Sequence, residues 1–255
     1  MTPGAPSSDP DADAPVGAPV VPRPAATVML LRDRADELEV LLLQRAPGTP
    51  FVPGAHVFPG GAVDEADDDH DDVVVGLGRD EADRILGVSG GGRAFWLAAV
   101  RECLEEAGVV LAVDEGGRQV SGDHPVFEDL DAARVALEAG TRTLADLFRE
   151  HRLRVPLDLV AYVSHWITPE PSPRRYDARF FAAAMPTGQR AGADGWEAVD
   201  AGWWKPANAL ADWQAGHIDL IEPTVVSLEL LARFAGTTDA LTALRAGGGA
   251  LGGRR

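Results

Sequence analysis

Glu102, Glu105 and Glu106 fall at i, i+3 and i+4 in the stretch Arg-Glu-Cys-Leu-Glu-Glu-Ala-Gly, residues 101–108. On a helix this spacing puts three carboxylates on one face, within reach of a common ion. Three like charges so close repel. A hard divalent cation such as Mg2+ or Mn2+ reverses that penalty, because it takes oxygen ligands and keeps waters that a phosphate can displace. An isolated motif of this kind is otherwise an ordinary solvated acidic face. Upstream, Pro59, Gly60 and Gly61 form a turn whose glycines allow backbone to approach a metal or a phosphate closely. Cys103 follows Glu102 directly and turns away from the carboxylate face; with no histidine paired to it in the motif, it is expected to be a packed small residue and not a nucleophile.

The elements that must position these groups follow from pattern. A helix is expected over 95–107, with Gly108 as its C-terminal cap. Segments 26–32 and 38–44 are β-rich and joined by a short polar stretch, which predicts an antiparallel pair. A Gly/Pro-rich segment follows, and residues 64–72 then hold seven acids in nine positions. Two amphipathic helices are expected between 129 and 151, with Leu144, Leu147 and Phe148 on one face. Segments 159–167, 178–185 and 196–204 are expected as strands, and Pro206 opens a helix ending near Gly216. A last helix is expected over 222–234, and there is no internal repeat. Residues 1–24, rich in Ala, Pro, Asp and Ser, and 241–255, which end in a glycine-rich run, are expected to be disordered tails around a folded domain at 25–240.

The 255 residues, 45% hydrophobic, suffice for one large domain or two small ones. Apolar runs fall far short of the roughly 20 residues that cross a bilayer, and no basic-then-apolar leader opens the chain. With one cysteine, which cannot form an internal disulfide, a cytoplasmic protein without membrane association is expected. A net charge of −17 argues against binding long nucleic acid, which requires Lys and Arg to displace counterions. A small phosphorylated ligand is still compatible, through bound metal and a few local arginines.

Together, the glycine turn and the carboxylate helix resemble the box of the Nudix hydrolases: Gly, five residues, Glu, seven residues, then Arg-Glu-x-x-Glu-Glu-x-Gly. Counted from Gly61, the sixth following position is Asp67 where the family has Glu, and 33 residues (68–100) separate it from Arg101, an excess of 26. A Nudix subfamily related to coenzyme A diphosphatases carries a long insertion inside the box. The phrases LLLQRAP, FVPGAHVFPGG with AVDEADD, AVRECLEEAGVVL and RRYDARFF are similar to it. The resemblance implies an α/β/α sandwich with a mixed sheet and extra helices, and the insertion, at about 68–93, is expected to leave the core as a loop or short helix.

The resemblance further implies that Glu102, Glu105 and Glu106 hold Mg2+ or Mn2+, with Gly61 through its carbonyl and Asp67 as further ligands, and that Arg101 orients the carboxylates. The reaction would be hydrolysis of a small-molecule diphosphate, coenzyme A or its acyl esters, to a phosphopantetheine and adenosine 3′,5′-bisphosphate. ADP-ribose, nucleotide sugars, a capped RNA or a non-catalytic binding module are the alternatives. Arg45, Arg174 and Arg175 are candidate substrate contacts. The general base is left open among Glu105, Glu106 and Glu197, and the oligomeric state between monomer and homodimer. His56 is expected to hydrogen-bond the loop backbone, and Trp203 and Trp204 to belong to the core or its rim.

Overall fold

The computed structural model describes residues 20–49, 51–67 and 70–247. β1 (Arg23–Arg34) and β2 (Glu37–Arg45) form the expected antiparallel pair, with Leu31 opposite Val40. Their apolar residues face both ways: Val28, Leu30, Leu41 and Leu43 enter one core, while Met29, Leu31, Val40 and Leu42 enter another. Strands so nearly continuous in apolar residues must be covered on both faces.

β1 is the hinge of the sheet. Its C-terminal half pairs with β2, while its N-terminal half pairs antiparallel with β4 (Gly60–Ala62), leaving β1 and β2 splayed at that end. β3 (His56–Val57) pairs with the end of β2. On its other side β1 runs parallel to β8 (Tyr176–Ala184), which is antiparallel to β7 (Ala161–Ile167); β9 (Ala198–Trp204) flanks β2. A separate short parallel pair joins β5 (Val74–Val75) to β6 (Val155–Pro156).

Helices α1 (Arg79–Leu86), α2 (Gly92–Ala107), α3 (Leu130–Glu138) and α4 (Leu144–Glu150) pack on one face. α5 (Pro206–Gln214), α6 (Glu222–Leu231) and α7 (Thr237–Gly247) cover the other, completing the expected sandwich. Thr143 and Asp146 form a reciprocal capping box that starts α4. α2 is buried on nearly every side, as its apolar run at 94–100 requires. Gly108 ends it in the left-handed conformation (φ 66°), with Val109 N–H donating to the Cys103 carbonyl at 3.3 Å.

Three boundaries differ from expectation. Arg23 and Pro24 were assigned to the N-terminal tail but open β1, in register with Tyr176 and Asp177; the proline-rich composition hid a strand start. At the other end, residues 241–247 belong to α7, whose Leu241 and Leu244 are buried. Asp33 Oδ1 accepts from the N–H and hydroxyl of Thr237 at 2.7 and 2.9 Å, fixing the first turn of that helix. The remaining tail positions, 1–19 and 248–255, lie outside the described residues. The insertion does form a short helix, α1, but it joins the core: Val73, Ala82 and Leu86 are buried in the cluster around α2. No helix among the described residues is long and apolar enough to cross a membrane.

Candidate active site

The last two turns of α2 lie beneath β4, and the glycines explain how they fit. A Cβ on Gly61 would stand 2.4 Å from Glu102 Oε1, and one on Gly60 would stand 2.5 Å from the Ala26 carbonyl. Only bare backbone fits between β1 and the carboxylates. Gly60 N–H donates to Glu106 Oε2 at 2.8 Å, so β4 orients that carboxylate directly.

Arg101 gathers the rest. Its Nη1 donates to Glu102 Oε1 at 2.8 Å and to Glu105 Oε2 at 2.9 Å, and its Nη2 donates to the Ala62 carbonyl at 2.8 Å. Its Nε and Nη2 grip the two oxygens of Asp67 at 3.0 and 3.1 Å. Asp67 is 3% exposed and also accepts from Asp64 N–H at 2.8 Å, so it sits behind the guanidinium and apart from the three glutamates. That placement differs from the expected metal ligand: both Asp67 oxygens are already engaged in holding Arg101. Asp64 lies at the edge of the same arginine, 3.6 Å from Nη2. Arg134 donates to the Glu105 and Glu106 carbonyls at 2.8 and 3.2 Å, satisfying the end of α2.

Burial sets the electrostatics. It raises the pKa of Glu102, against the pull of Arg101, and Glu105 reinforces the rise. Glu105 is pushed up to about 7, first by burial. Glu106 is raised by burial and then by Glu102. Burial alone would lower the Arg101 pKa, but Glu102, Asp67 and Glu105 outweigh it and keep the guanidinium charged. Burial likewise raises the Cys103 thiol, which is fully enclosed, in keeping with a packing role.

The donor set is all oxygen, crowded and short of countercharge, which is the chemistry a hard divalent cation answers. Its positions do not yet converge: among the described residues no three His, Cys, Asp or Glu side chains are placed to hold a metal ion together. Arg101 Nη1 bridges Glu102 and Glu105 instead, so occupation requires those side chains to turn from the guanidinium.

The glutamates open into a cavity of about 1090 Å3. Of the three arginines singled out in the sequence, Arg45 and Arg174 line it. Arg175 does not; it donates to the Thr168 and Val20 carbonyls at 2.8 Å each, and so ties the start of the described chain to the β7–β8 turn. His56 lies in a smaller neighbouring cavity, edge-on to Trp204 at 5.8 Å, and its Nδ1 is buried without a hydrogen-bond partner, so the expected tie to loop backbone is not formed by that atom. Sequence reasoning missed Arg23, Phe51, Tyr176 and Trp196 as cavity residues. Tyr176 and Phe51 stand inside the RRYDARFF and FVPGAHVFPGG phrases; Arg23 and Trp196 carried no local signal.

Residues 21–135, which hold the glycine turn and the carboxylate helix, match the NUDIX domain family. Within that class the chain resembles the acyl-coenzyme A diphosphatases. It is 26% identical to acyl-coenzyme A diphosphatase NUDT19 of Xenopus laevis over 236 residues, covering 80% of this chain and 62% of the relative. The Homo sapiens protein of the same name is 29% identical over 245 residues, covering 80% and 63%. The chain therefore spans less than two thirds of the length of these relatives. The crystal structure of a NUDIX hydrolase from Alicyclobacillus acidocaldarius superposes with a TM-score of 0.70 at 27% identity, covering 89% of this chain and 98% of that one.

Proposed function

We propose that the protein is a metal-dependent diphosphatase that splits coenzyme A or an acyl-coenzyme A into a phosphopantetheine and adenosine 3′,5′-bisphosphate. The observation that carries this reading is that Glu102, Glu105 and Glu106 together line a cavity of about 1090 Å3, large enough for such a molecule.

Glu102, Glu105 and Glu106 would hold Mg2+ or Mn2+, with the Gly61 backbone alongside Glu102. Such an ion supplies charge neutralisation at the phosphoryl oxygens and acidifies water. The chain's own groups do the rest. Glu106 is aimed by Gly60 N–H. Arg101, anchored by Asp67, keeps Glu102 and Glu105 in register and neutralises part of their charge until they are needed elsewhere. The proton of the attacking water would pass to Glu105, Glu106 or Glu197, the carboxylates within the same cavity. Arg45, whose charge is felt by Glu106 and which lines the cavity, would meet a phosphoryl oxygen entering beside it.

The test is incubation with Mg2+ or Mn2+ and a panel of coenzyme A, acetyl-coenzyme A, ADP-ribose, NADH and diadenosine tetraphosphate, with products resolved by chromatography. Release of adenosine 3′,5′-bisphosphate is the expected result. Absence of turnover of every diphosphate overturns the proposal.

A further inference from the structure

The two ends of the glutamate cavity differ in charge. One end is walled by the sheet: Arg23 and Ala25 alternate along β1, as Tyr176 and Ala178 do along β8, the period that puts strand residues on one face. Ala25 and Ala178 are register partners, so the middle of this wall is a shallow bed of two methyl groups. Phe51 stands edge-to-face with Tyr176 at 5.2 Å, and Arg45 Nε holds the Phe51 carbonyl at 3.1 Å. Exposed Arg23 and half-buried Arg174 complete this end.

The opposite end is formed by α3 and the loop before β9. Glu138, Asp194 and Glu197 line it together with Leu137 and Trp196, and Trp196 is 51% exposed. Arg134 at this end directs Nε and Nη2 at the end of α2, and Arg45, whose neighbour Ala46 donates to the Glu197 carbonyl at 2.8 Å, directs Nε at the Phe51 carbonyl. Anions are therefore opposed here, while the indole and the leucine offer apolar surface.

We infer that this asymmetry fixes which way round a diphosphate ester lies: a flat aromatic half with an additional phosphate on the alanine bed between the arginines, and an uncharged amide-and-alkyl half against the acidic end. The inference rests on the diphosphatase reading and deepens it. A ring needs a flat floor and aromatic edges, and a phosphate monoester dianion needs guanidinium donors; both needs are met at one end only. A second nucleotide at the acidic end would set its phosphates against three carboxylates, so symmetrical dinucleoside polyphosphates should be poor substrates.

Adenosine 3′,5′-bisphosphate and 4′-phosphopantetheine are probes that need no turnover. Calorimetric titration of each into the wild type and the Arg23→Gln, Arg174→Gln and Ala25→Leu variants tests the orientation, with melting curves to check folding. Each arginine variant is expected to weaken bisphosphate binding roughly tenfold, the worth of a charge-assisted hydrogen bond, and to leave phosphopantetheine binding within about twofold. Ala25→Leu, which fills the bed, should do the same without any change of charge. Glu138→Gln with Asp194→Asn should leave bisphosphate binding unchanged and raise turnover of diadenosine tetraphosphate relative to coenzyme A. Undetectable bisphosphate binding, or binding indifferent to Arg23, Arg174 and Ala25, overturns the inference even if coenzyme A is hydrolysed. The expected binding pattern without hydrolysis of any diphosphate overturns the functional reading and leaves the orientation standing.

Discussion

Arg101 and Asp67, 34 positions apart, are joined by two parallel hydrogen bonds, Nε to Oδ1 at 3.0 Å and Nη2 to Oδ2 at 3.1 Å. This fork is how the glycine turn and the carboxylate helix act as one site. Asp67→Ala leaves a buried guanidinium short of its partner, and breaking a buried pair in this way costs about 3–5 kcal/mol. Chemical denaturation without metal should show that loss in full, and Asp67→Glu should recover part of it. An Asp67→Ala protein that is as stable as wild type without metal, and weakened only with it, would restore the ligand role to Asp67.

Glu105→Gln keeps the shape of the side chain and removes its charge. Turnover is expected to fall by roughly a hundredfold or more, in line with losing one electrostatic contact at a reacting centre. The fold should be retained, since Glu105 contributes a strained, proton-seeking carboxylate to the metal-free site. Steady-state kinetics beside a melting curve separates the two effects, and normal activity would refute the assignment.

The raised carboxylates also predict how stability follows pH. Glu105 titrates at about 7 in the folded chain against an ordinary 4.5, so between those values the folded state holds a proton that the unfolded state has lost. Its contribution to stability is therefore greatest below about 4.5 and declines as pH rises through 7. Metal competes for the same deprotonated oxygens, so its benefit runs the opposite way. Without metal, the difference in Tm between wild type and Glu105→Gln should widen from pH 5 to pH 8 in favour of the variant. The rise in wild-type Tm on adding Mg2+ should be larger at pH 8 than at pH 5.

Gly61→Ala places a methyl group 2.4 Å from Glu102 Oε1. Overpacking of this kind costs about 1–3 kcal/mol, and here it also pushes a ligand carboxylate aside. Metal affinity measured by calorimetry should drop while circular dichroism shows the fold retained; an alanine variant that binds Mg2+ normally would show that β4 has room to move.

The chemistry was legible in the sequence because it is local. Glu102, Glu105 and Glu106 needed only helical periodicity to share a face, and Gly108 only its cap geometry. What escaped was assembled across distance. Arg23 was hidden in a proline-rich tail because its strand exists by pairing with β8, more than a hundred residues on in the chain. Arg175 looked equivalent to Arg174, and only the fold showed that its guanidinium is spent on Val20 and Thr168 carbonyls. Asp67 stood at the box position of a metal ligand; its partner in the structure, Arg101, lay beyond the insertion. α7 was missed because the spacing of Ala240, Leu241 and Leu244 ran into a glycine-rich end.

The insertion docks at the far end of α2 from the glutamates. Its helix α1 packs against the beginning of α2, with Asp83 Oδ1 accepting from Gly92 N–H at 2.7 Å, while the glutamates occupy the end. Lengthening the joint from seven to 33 residues costs only about 1.4 kcal/mol of loop-closure entropy, since that penalty grows with the logarithm of length. Burying Val73 and Leu86 offsets it, at about 1.5–3 kcal/mol for each side chain. The joint thus accommodates the extra chain at little thermodynamic consequence, and changes to its surface fall at the opposite end of the helix from the chemistry.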